Sequence, residues 1–389
     1  MDKMQRLFSL YAPNTVFGAG AVGNVGTFAK GFGSRKALIV TDAGVAGAGL
    51  LDAATSSLEA SAVAFGLFDE CLPDAPLPAV VRCSKAAKEG KYDLIVAVGG
   101  GSVIDTAKVA SLCLADEGEI RSLVGFDRVG KRGIPKILIP TTAGTGSEVT
   151  RAAVITDTSD GHKKGIFSPY LRADTAVVDP LMTLNLPQRI TADSGFDALS
   201  HALEAYATWN ANVVSDMFAE TAIRLVAENL PVVYAKGRKN VEARCNMAIA
   251  ASLGIIAAES AGAGIAHSMN YPIAVKAKIT HGAAIAIILP HVMEYNIMGN
   301  PLKFVKIARL MGEKTEHLSS MDAAGRAVEA VRDLARRLGL PQRMRDVGVN
   351  KEDIPGFVDY LFQFQLYGME NNARDLSRED AAGIFEAAY

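Results

Sequence analysis

Cysteine is scarce in this 389-residue chain. The sequence contains four cysteines, Cys71, Cys83, Cys113 and Cys245, and none belongs to a CxxC pair. That spacing argues against a zinc ribbon and against the paired framework of a small disulfide-rich domain. Isolated cysteines usually behave as small apolar side chains. We therefore expect buried free thiols in a reducing compartment, the cytoplasm.

The sequence also lacks an excess of charge of either sign. Forty Lys and Arg residues stand against 42 Asp and Glu residues, and the formal net charge is −2. A surface that binds nucleic acid or an anionic membrane usually shows a surplus of basic residues. We therefore expect a small-molecule substrate, and neither nucleic acid nor a membrane as a partner.

What the chain does contain is enough apolar sequence for more than one core. Hydrophobic residues make up 49% and charged residues 21%, the proportions of a globular enzyme. A chain of this length normally divides into domains. Because the local pattern changes near Pro187, we predict an α/β domain over residues 1–186 and a helical domain over residues 187–389.

The first part of the chain alternates short apolar runs with segments of helical length. Residues 36–42, 62–68, 92–100 and 135–141 are predicted strands, each ended by Gly, Pro, Asp or Thr. Successive apolar positions within these runs are typical of strands whose two faces are both covered. With helices such as 103–115 between them, the pattern predicts a parallel sheet with helices on both sides.

The second part is rich in Ala, Leu, Glu and Arg at helical spacing. Residues 321–339 are predicted to form a helix that ends at Gly339, with Pro341 shortly after. The apolar run 283–289 fits a strand or a buried helix, since periodicity alone does not separate them. We predict that this part is all helical.

A glycine-rich segment follows the predicted strand 92–100 directly. Gly99, Gly100, Gly101 and Ser102 lead into a helix, and glycines there allow backbone N–H groups to approach a pyrophosphate at the helix N-terminus. The segment differs from the GxGxxG fingerprint. It also fits a plain strand-to-helix turn, but its position favours phosphate binding.

Two further segments could contact the nucleotide. Residues 140–148 follow another predicted strand and carry Thr141, Thr142 and Ser147, whose hydroxyls can form hydrogen bonds; a capped loop is the alternative. Asp42 ends an earlier strand, where a carboxylate can accept from ribose hydroxyls and repel a 2′-phosphate. An Asp in that place is also common as a helix cap. If it binds ribose, NAD is favoured over NADP.

Four residues of the second part suggest a metal site. Asp197 and His201 are four apart on a predicted helix and share one face, while His267 and His281 lie fourteen apart downstream. One carboxylate and three imidazoles suit Fe(II) or Zn(II) and leave room for a substrate oxygen. A buried histidine with a purely structural role is the alternative for each of them.

The chain as a whole resembles the iron-containing, or group III, alcohol dehydrogenases. The segments that carry the resemblance are GGGSVIDTAK (99–108), PTTAGTGSEVT (140–150), VVDP (177–180), GFDALSHALEAY (195–206), AHSMNYP (266–272), THG (280–282), LPHVMEYN (289–296) and NNARDLS (371–377). The resemblance implies a Rossmann-like dinucleotide-binding domain followed by a helical metal-binding and catalytic domain.

The same resemblance implies roles for individual residues. It places the metal on Asp197, His201, His267 and His281, with Fe(II) preferred to Zn(II). It places NAD on Asp42, Gly99 to Ser102, Thr141, Thr142, Ser147 and Lys163. It also implies a homodimer or a larger homo-oligomer.

The chain departs from the family pattern near this site. Tyr271 occupies the place, four residues after His267, where many members have a second histidine assigned to proton relay. We assign His267 and Tyr271 as catalytic residues, although a phenol is a poorer proton shuttle at neutral pH. Ala258 and Glu259 replace an aromatic–small pair and suggest a roomier pocket.

Three cations near the expected pocket could attract an anionic substrate or could be solvated surface residues: Arg151, Lys276 and Lys278.

The function expected is an NAD-dependent alcohol dehydrogenase or aldehyde reductase for a small alcohol, aldehyde or hydroxy acid. One alternative is a lyase related to dehydroquinate synthase, which would use the same cofactors but return the hydride internally. A second alternative is a catalytically inactive nucleotide-binding protein.

Overall fold

The computed structural model describes residues 10–114 and 116–389. Its compact units are Ala12–Leu186, which contains the strands, and Pro187–Tyr389, which is helical. The cofactor and catalytic roles that the sequence assigns to these two parts stay predictions.

Within the described residues, all strands lie in the unit Ala12–Leu186. They are β1 (Thr15–Phe17), β2 (Lys36–Val40), β3 (Ala64–Phe68), β4 (Leu94–Gly99), β5 (Gly125–Phe126), β6 (Lys136–Pro140), β7 (Ala152–Asp157), β8 (His162–Phe167) and β9 (Thr175–Val178).

In the described residues, six of these strands form one parallel sheet. Its order is β1-β9-β6-β4-β2-β3. From β2 the chain goes to β3 on one side and then crosses to β4 on the other side. The boundary between β2 and β4 is therefore the topological switch point, and the crevice at the carboxyl ends of such strands is where nucleotides bind in open α/β sheets.

The central strands are buried on both faces. Every residue of β4 and β6 is buried, including the alternate positions that point to opposite sides of the sheet. Helices covering both faces explain why these strands have continuous apolar sequences. The predicted parallel sheet is confirmed.

A smaller sheet was not predicted from the sequence. In the part of the chain that is described, it consists of β5, β8 and β7, with β7 and β8 antiparallel. The polar sequence of β8, HKKGIF, hides its strand character, because pairing with β7 rather than apolar alternation stabilises it.

Ten α-helices of the described chain lie in the second unit and six in the first. They are α1 (Val25–Gly31), α2 (Ala43–Gly47), α3 (Asp52–Ala60), α4 (Leu77–Glu89), α5 (Gly101–Ala110), α6 (Glu117–Ser122), α7 (Gln188–Ala207), α8 (Val213–Lys236), α9 (Val241–Ala261), α10 (Ile265–Ala277), α11 (His281–Asn296), α12 (Pro301–Leu310), α13 (Ser320–Arg337), α14 (Ile354–Phe364), α15 (Leu366–Glu370) and α16 (Arg378–Ala387).

The helical unit follows from clear start and stop signals. Asn212 and Ser215 form a capping box at the start of α8, and the Ser319 side chain accepts from the Asp322 N–H at the start of α13. Helix α13 ends before Gly339, whose φ of 67° suits glycine. The apolar run 283–289 lies inside α11, so it is helical.

Helix α9 is long and apolar enough, by length and composition, to cross a membrane, but 61% of its most apolar window is buried inside the protein. It packs against α7 and α8. That burial is typical of a core helix.

Candidate metal centre

Helix α7 presents three polar side chains on one face, from its middle toward its C-terminal end. Asp197, His201 and Glu204 follow one another at spacings of four and three, so they project in one direction. All three are buried, although they lie in a helix rich in Ala and Leu. Buried ionisable groups require partners, and these residues find them on α10 and α11.

Two histidines from neighbouring helices converge on Asp197. His267 lies in the first turn of α10, and His281 is the first residue of α11. Their Nε2 atoms are 3.8 Å and 3.6 Å, respectively, from Asp197 Oδ1. One ligand atom from each of these three residues can be chosen so that all three atoms lie within 4.8 Å of one another.

His201 lies beside this group. Its Nδ1 is 4.0 Å from Asp197 Oδ1, and its ring stacks on that of His267 with centroids 4.4 Å apart. The compact three-atom group does not include it. The structure thus brings all four predicted metal ligands into one cluster, while the participation of His201 as a fourth ligand stays a proposal.

The atoms at the centre of the cluster fit a metal ion. Among the described residues, Asp197 Oδ1 and His267 Nε2 are buried and have no hydrogen-bond partner. Leaving a buried polar atom unsatisfied costs about 1–3 kcal/mol, so two such atoms facing each other require an explanation. A divalent cation would satisfy both, and one carboxylate with imidazoles suits Fe(II) or Zn(II).

The electrostatics of the cluster also favour a cation. Burial raises the pKa of the Asp197 carboxyl, but His201, His267 and His281 outweigh burial and hold this pKa well below its usual range. Burial lowers the pKa of His267, whereas the carboxylates of Asp197 and Glu204 raise it, to about 9. The cluster therefore stabilises positive charge at its centre, as a metal site must.

Sequence reasoning missed Glu204. Its carboxylate accepts hydrogen bonds from the backbone N–H groups of Ala266, at 2.7 Å, and His267, at 3.1 Å, and it contacts the His267 ring at Nδ1. Its spacing from Asp197 and His201 could have placed it on the same helix face. Its partner, the start of α10, lies about sixty residues further along the chain, which no local pattern shows.

Asp193, one turn before Asp197, helps to position His281 in a similar way. Its Oδ2 accepts from the Thr280 hydroxyl at 2.7 Å, and Thr280 caps α11 by accepting from the Ala283 N–H. A Cβ added to Gly282 would lie 2.0 Å from the Asp193 carbonyl oxygen. Only glycine allows α11 to begin so close to α7, which sets the position of His281.

The predicted glycine-rich segment lies at the carboxyl end of β4 and leads into α5. Gly100, the residue before α5, has no side chain that could cap the helix, and N–H groups at an uncapped helix N-terminus can bind a phosphate. Added Cβ atoms would lie 3.5 Å from Thr142 Cγ2 at Gly100 and 2.9 Å from Thr145 Cγ2 at Gly101. The structure therefore places the glycine segment against residues 141–145, while nucleotide binding stays a proposal.

The other predicted nucleotide residues are also located. The Ser102 hydroxyl accepts from the Asp74 N–H, and Lys163, on β8, pairs with Asp74 at 2.7 Å. Asp42 follows β2 and caps α2, its Oδ1 accepting from the Val45 N–H at 2.9 Å. The capping alternative for Asp42 is thus present in the structure, and binding of ribose by the same carboxylate stays a proposal. Ser147 begins a short 3-10 helix after the 141–146 loop.

Comparison with known proteins decides the family. The model for iron-containing alcohol dehydrogenases matches residues 12–180, and the model for the C-terminal part of that family matches residues 191–389. The chain belongs to the iron-containing alcohol dehydrogenase family.

Named relatives cover nearly the whole chain. The 1,3-propanediol dehydrogenase of Citrobacter freundii is 37% identical over 389 residues, covering 99% of both chains. The NAD-dependent methanol dehydrogenase of Bacillus methanolicus is 35% identical, covering 97% of this chain and 98% of its own. The crystal structure of a 1,3-propanediol oxidoreductase matches with a TM-score of 0.94 and 35% identity, covering 99% of this chain and 100% of its own.

As a member of this family, the iron-containing alcohol dehydrogenase described here is an oxidoreductase acting on CH–OH groups. The family and its NAD-dependent relatives support NAD and a divalent metal as cofactors. The predicted fold and enzyme class are confirmed. The comparisons give no support to the lyase alternative.

The structure also locates the residues that depart from the family pattern. The Tyr271 ring lies beside the proposed metal ligand His281, with ring centroids 5.5 Å apart. Ala258 is buried in α9, next to Glu259. Lys276 pairs with Asp353 at 2.8 Å, Arg151 lies 4.0 Å from Asp127, and Lys278 is exposed. The pairing of Lys276 favours a surface role for this cation.

Proposed function

We propose that the chain is an NAD-dependent alcohol dehydrogenase or aldehyde reductase for a small alcohol, aldehyde or hydroxy acid. We propose Fe(II) as its metal, in preference to Zn(II), on Asp197, His201, His267 and His281. The observation that carries the metal site is the convergence of the Nε2 atoms of His267 and His281 on the buried Asp197 Oδ1.

When bound, the metal supplies a Lewis acid for the alcohol or carbonyl oxygen, and nicotinamide accepts or gives the hydride. The chain's own residues provide the surroundings for that chemistry. Burial of Asp197 and His201 keeps water from the centre and strengthens electrostatic interactions there. The Tyr271 hydroxyl is proposed to pass the substrate proton toward solvent. We propose that residues 99–102 bind the phosphates of NAD, that Asp42 binds its ribose, and that other residues contact the nucleotide: Thr141, Thr142, Ser147 and Lys163.

The test of the metal assignment compares Asp197→Ala and His267→Ala with the unaltered protein. We expect both variants to lose bound metal and to lose turnover, measured by metal analysis and by NADH formation with added alcohol. His291→Ala is the matched control, since His291 lies on α11 away from the cluster and should keep both. Normal metal content and activity in either ligand variant would contradict the assignment.

A substrate panel then defines the reaction. Metal-stripped protein reloaded with Fe(II) or Zn(II) is assayed with NAD and NADP against short alcohols, diols and hydroxy acids. We expect Fe(II) to restore the higher rate. Absence of net NADH formation with every substrate would contradict the dehydrogenase proposal.

We also propose a cytoplasmic enzyme that assembles as a homodimer or larger homo-oligomer. The location is supported by four free thiols, since such thiols persist in a reducing compartment. Light scattering of the purified protein tests the assembly, and a monomer at micromolar concentration would contradict it.

A further inference from the structure

Glu204 occupies a position that metal binding alone does not require. It lies on the face of α7 that carries Asp197 and His201, and its side chain is only 5% exposed. A buried carboxylate is costly unless hydrogen bonds satisfy it. Its partners therefore indicate what it does.

Within the described residues, the hydrogen bonds of the Glu204 carboxylate go to the start of α10. Oε1 accepts from the Ala266 N–H at 2.7 Å, and Oε2 accepts from the His267 N–H at 3.1 Å. The residue just before the helix, Gly264, has no side chain to cap it. Glu204 thus supplies from another helix the acceptor that a local Ser or Asp would otherwise provide.

The same carboxylate also contacts the ring of His267. Oε2 meets the ring at Nδ1. An ionised carboxylate can only accept, so the Nδ1 atom must carry the proton. In a singly protonated ring the lone pair is then on Nε2, the atom that lies 3.8 Å from Asp197 Oδ1.

We propose that Glu204 is a positioning residue that holds His267 as its Nδ1–H tautomer and so presents Nε2 to the metal. The inference rests on the proposed metal site. Carboxylates that orient metal-binding imidazoles in this way commonly contribute 10- to 100-fold to metal affinity.

The local packing leaves the carboxylate little freedom. A Cβ added to Gly264 would lie 2.7 Å from Glu204 Oε1 and 3.4 Å from Asn372 Oδ1. The absence of a side chain at Gly264 is what lets the chain pass so close to Glu204. The hydrogen bond to His267 is therefore built into the backbone path that leads into α10.

The test uses Glu204→Gln, which is almost isosteric. Its carbonyl oxygen can still accept from a backbone N–H, but its NH₂ group donates, so Nδ1 facing that group would have to accept and Nε2 would carry the proton. We expect metal-stripped Glu204→Gln to bind Co(II) about 10- to 100-fold more weakly in chelator competition. The Co(II) absorption bands should shift as well.

Glu220→Gln is the matched control. Glu220 accepts from the Tyr206 hydroxyl at 2.9 Å and pairs with Lys306, and its substitution should leave Co(II) affinity and spectrum unchanged. Unchanged Co(II) affinity in Glu204→Gln would overturn the proposal, even if the variant unfolds at a lower temperature. Failure of the metal site itself has a different signature, since Asp197→Ala would then bind Co(II) as the unaltered protein does.

If Glu204→Gln does not fold, a measurement on the unaltered protein tests which ring nitrogen of His267 carries the proton. In zinc-loaded protein with ¹⁵N-labelled histidine, the ring of His267, assigned by its loss in His267→Gln, should carry its proton on Nδ1. A proton on Nε2 would overturn the proposal.

Discussion

Tyr271 is the residue whose chemistry most affects the proposed reaction. It follows His267 by one turn of α10, and its ring packs at 5.5 Å from that of His281. A phenol can donate and accept a hydrogen bond, so it can link a substrate oxygen to solvent, although its ordinary pKa near 10 makes it a slow proton carrier at neutral pH.

The Tyr271→Phe variant removes the hydroxyl and keeps the aromatic ring, so it tests the role of the hydroxyl alone. The phenyl ring keeps the packing against His281, so we expect metal content to stay normal while kcat falls about 100-fold, the contribution of a positioned proton donor. Steady-state kinetics with metal analysis check this. Tyr295→Phe on α11, whose hydroxyl donates to the Asp375 carbonyl, is the control. A kcat within twofold of the unaltered enzyme would remove the Tyr271 hydroxyl from the proton path.

Asp42 offers a test of cofactor choice. Asp42→Asn keeps an oxygen that can cap α2 through the Val45 N–H, but it removes the charge that repels a 2′-phosphate. We expect the ratio of kcat/KM for NADP to that for NAD to rise about tenfold, equivalent to about 1.4 kcal/mol. Asp52→Asn, an exposed first-turn residue of α3, should leave the ratio unchanged. An unchanged ratio in Asp42→Asn would contradict the ribose-binding role.

At the scale of secondary-structure elements, the residue that caps α11 lies next to a proposed metal ligand. Thr280 caps the helix and donates to Asp193, and the next residue is the proposed ligand His281. Helix stability and ligand position therefore depend on the same side chain.

Thr280→Ala should affect both properties. We expect the free energy of unfolding to fall by about 1 kcal/mol, as for other lost N-caps, and metal affinity to fall several-fold because the first turn of α11 loosens. Ser319→Ala removes the corresponding cap of α13 and should cost similar stability without changing metal affinity. Equal metal affinity in the two variants would show that the Thr280 cap does not position His281.

The sequence predicted the elements whose signals are local. The strands at 36–42, 92–100 and 135–141 appear as β2, β4 and β6, because runs buried on both faces are continuously apolar. The run 283–289 was ambiguous for the same reason, since every residue of it is buried in α11. Strand β8 was missed because its stability comes from pairing with β7 rather than from its own composition.

The candidate metal site also contains some residues that local sequence patterns predict and others that they do not. Helical spacing joined Asp197 and His201, and His267 and His281 were candidate ligands by residue type, but it was the family resemblance that assigned all four to one metal. The supporting carboxylates Asp193 and Glu204 could not be predicted, because their partners are 87 and 62 residues away. Their roles become visible only when α10 and α11 are packed against α7.

At the scale of the whole molecule, the proposed metal links three helices of the unit Pro187–Tyr389. A ligand that binds only the folded state stabilises it, by about 2.7 kcal/mol at a free concentration 100 times its Kd. For a unit of this size we expect Zn(II) at that concentration to raise Tm by about 5–10 °C in scanning calorimetry. Asp197→Ala should show no such shift, and a shift of the same size in that variant would place the stabilising metal elsewhere.

The parallel sheet joins the beginning of its unit to the end. Asn14, just before β1, donates to Thr175 at the start of β9, 161 residues later, and β1 pairs with β9 in parallel register. A ribosome adds about 5–20 residues per second, so β1 leaves the exit tunnel about 8–30 s before β9 does. Strand β1 can therefore pair with β9 only after that interval, during which a chaperone that holds β1 has time to act.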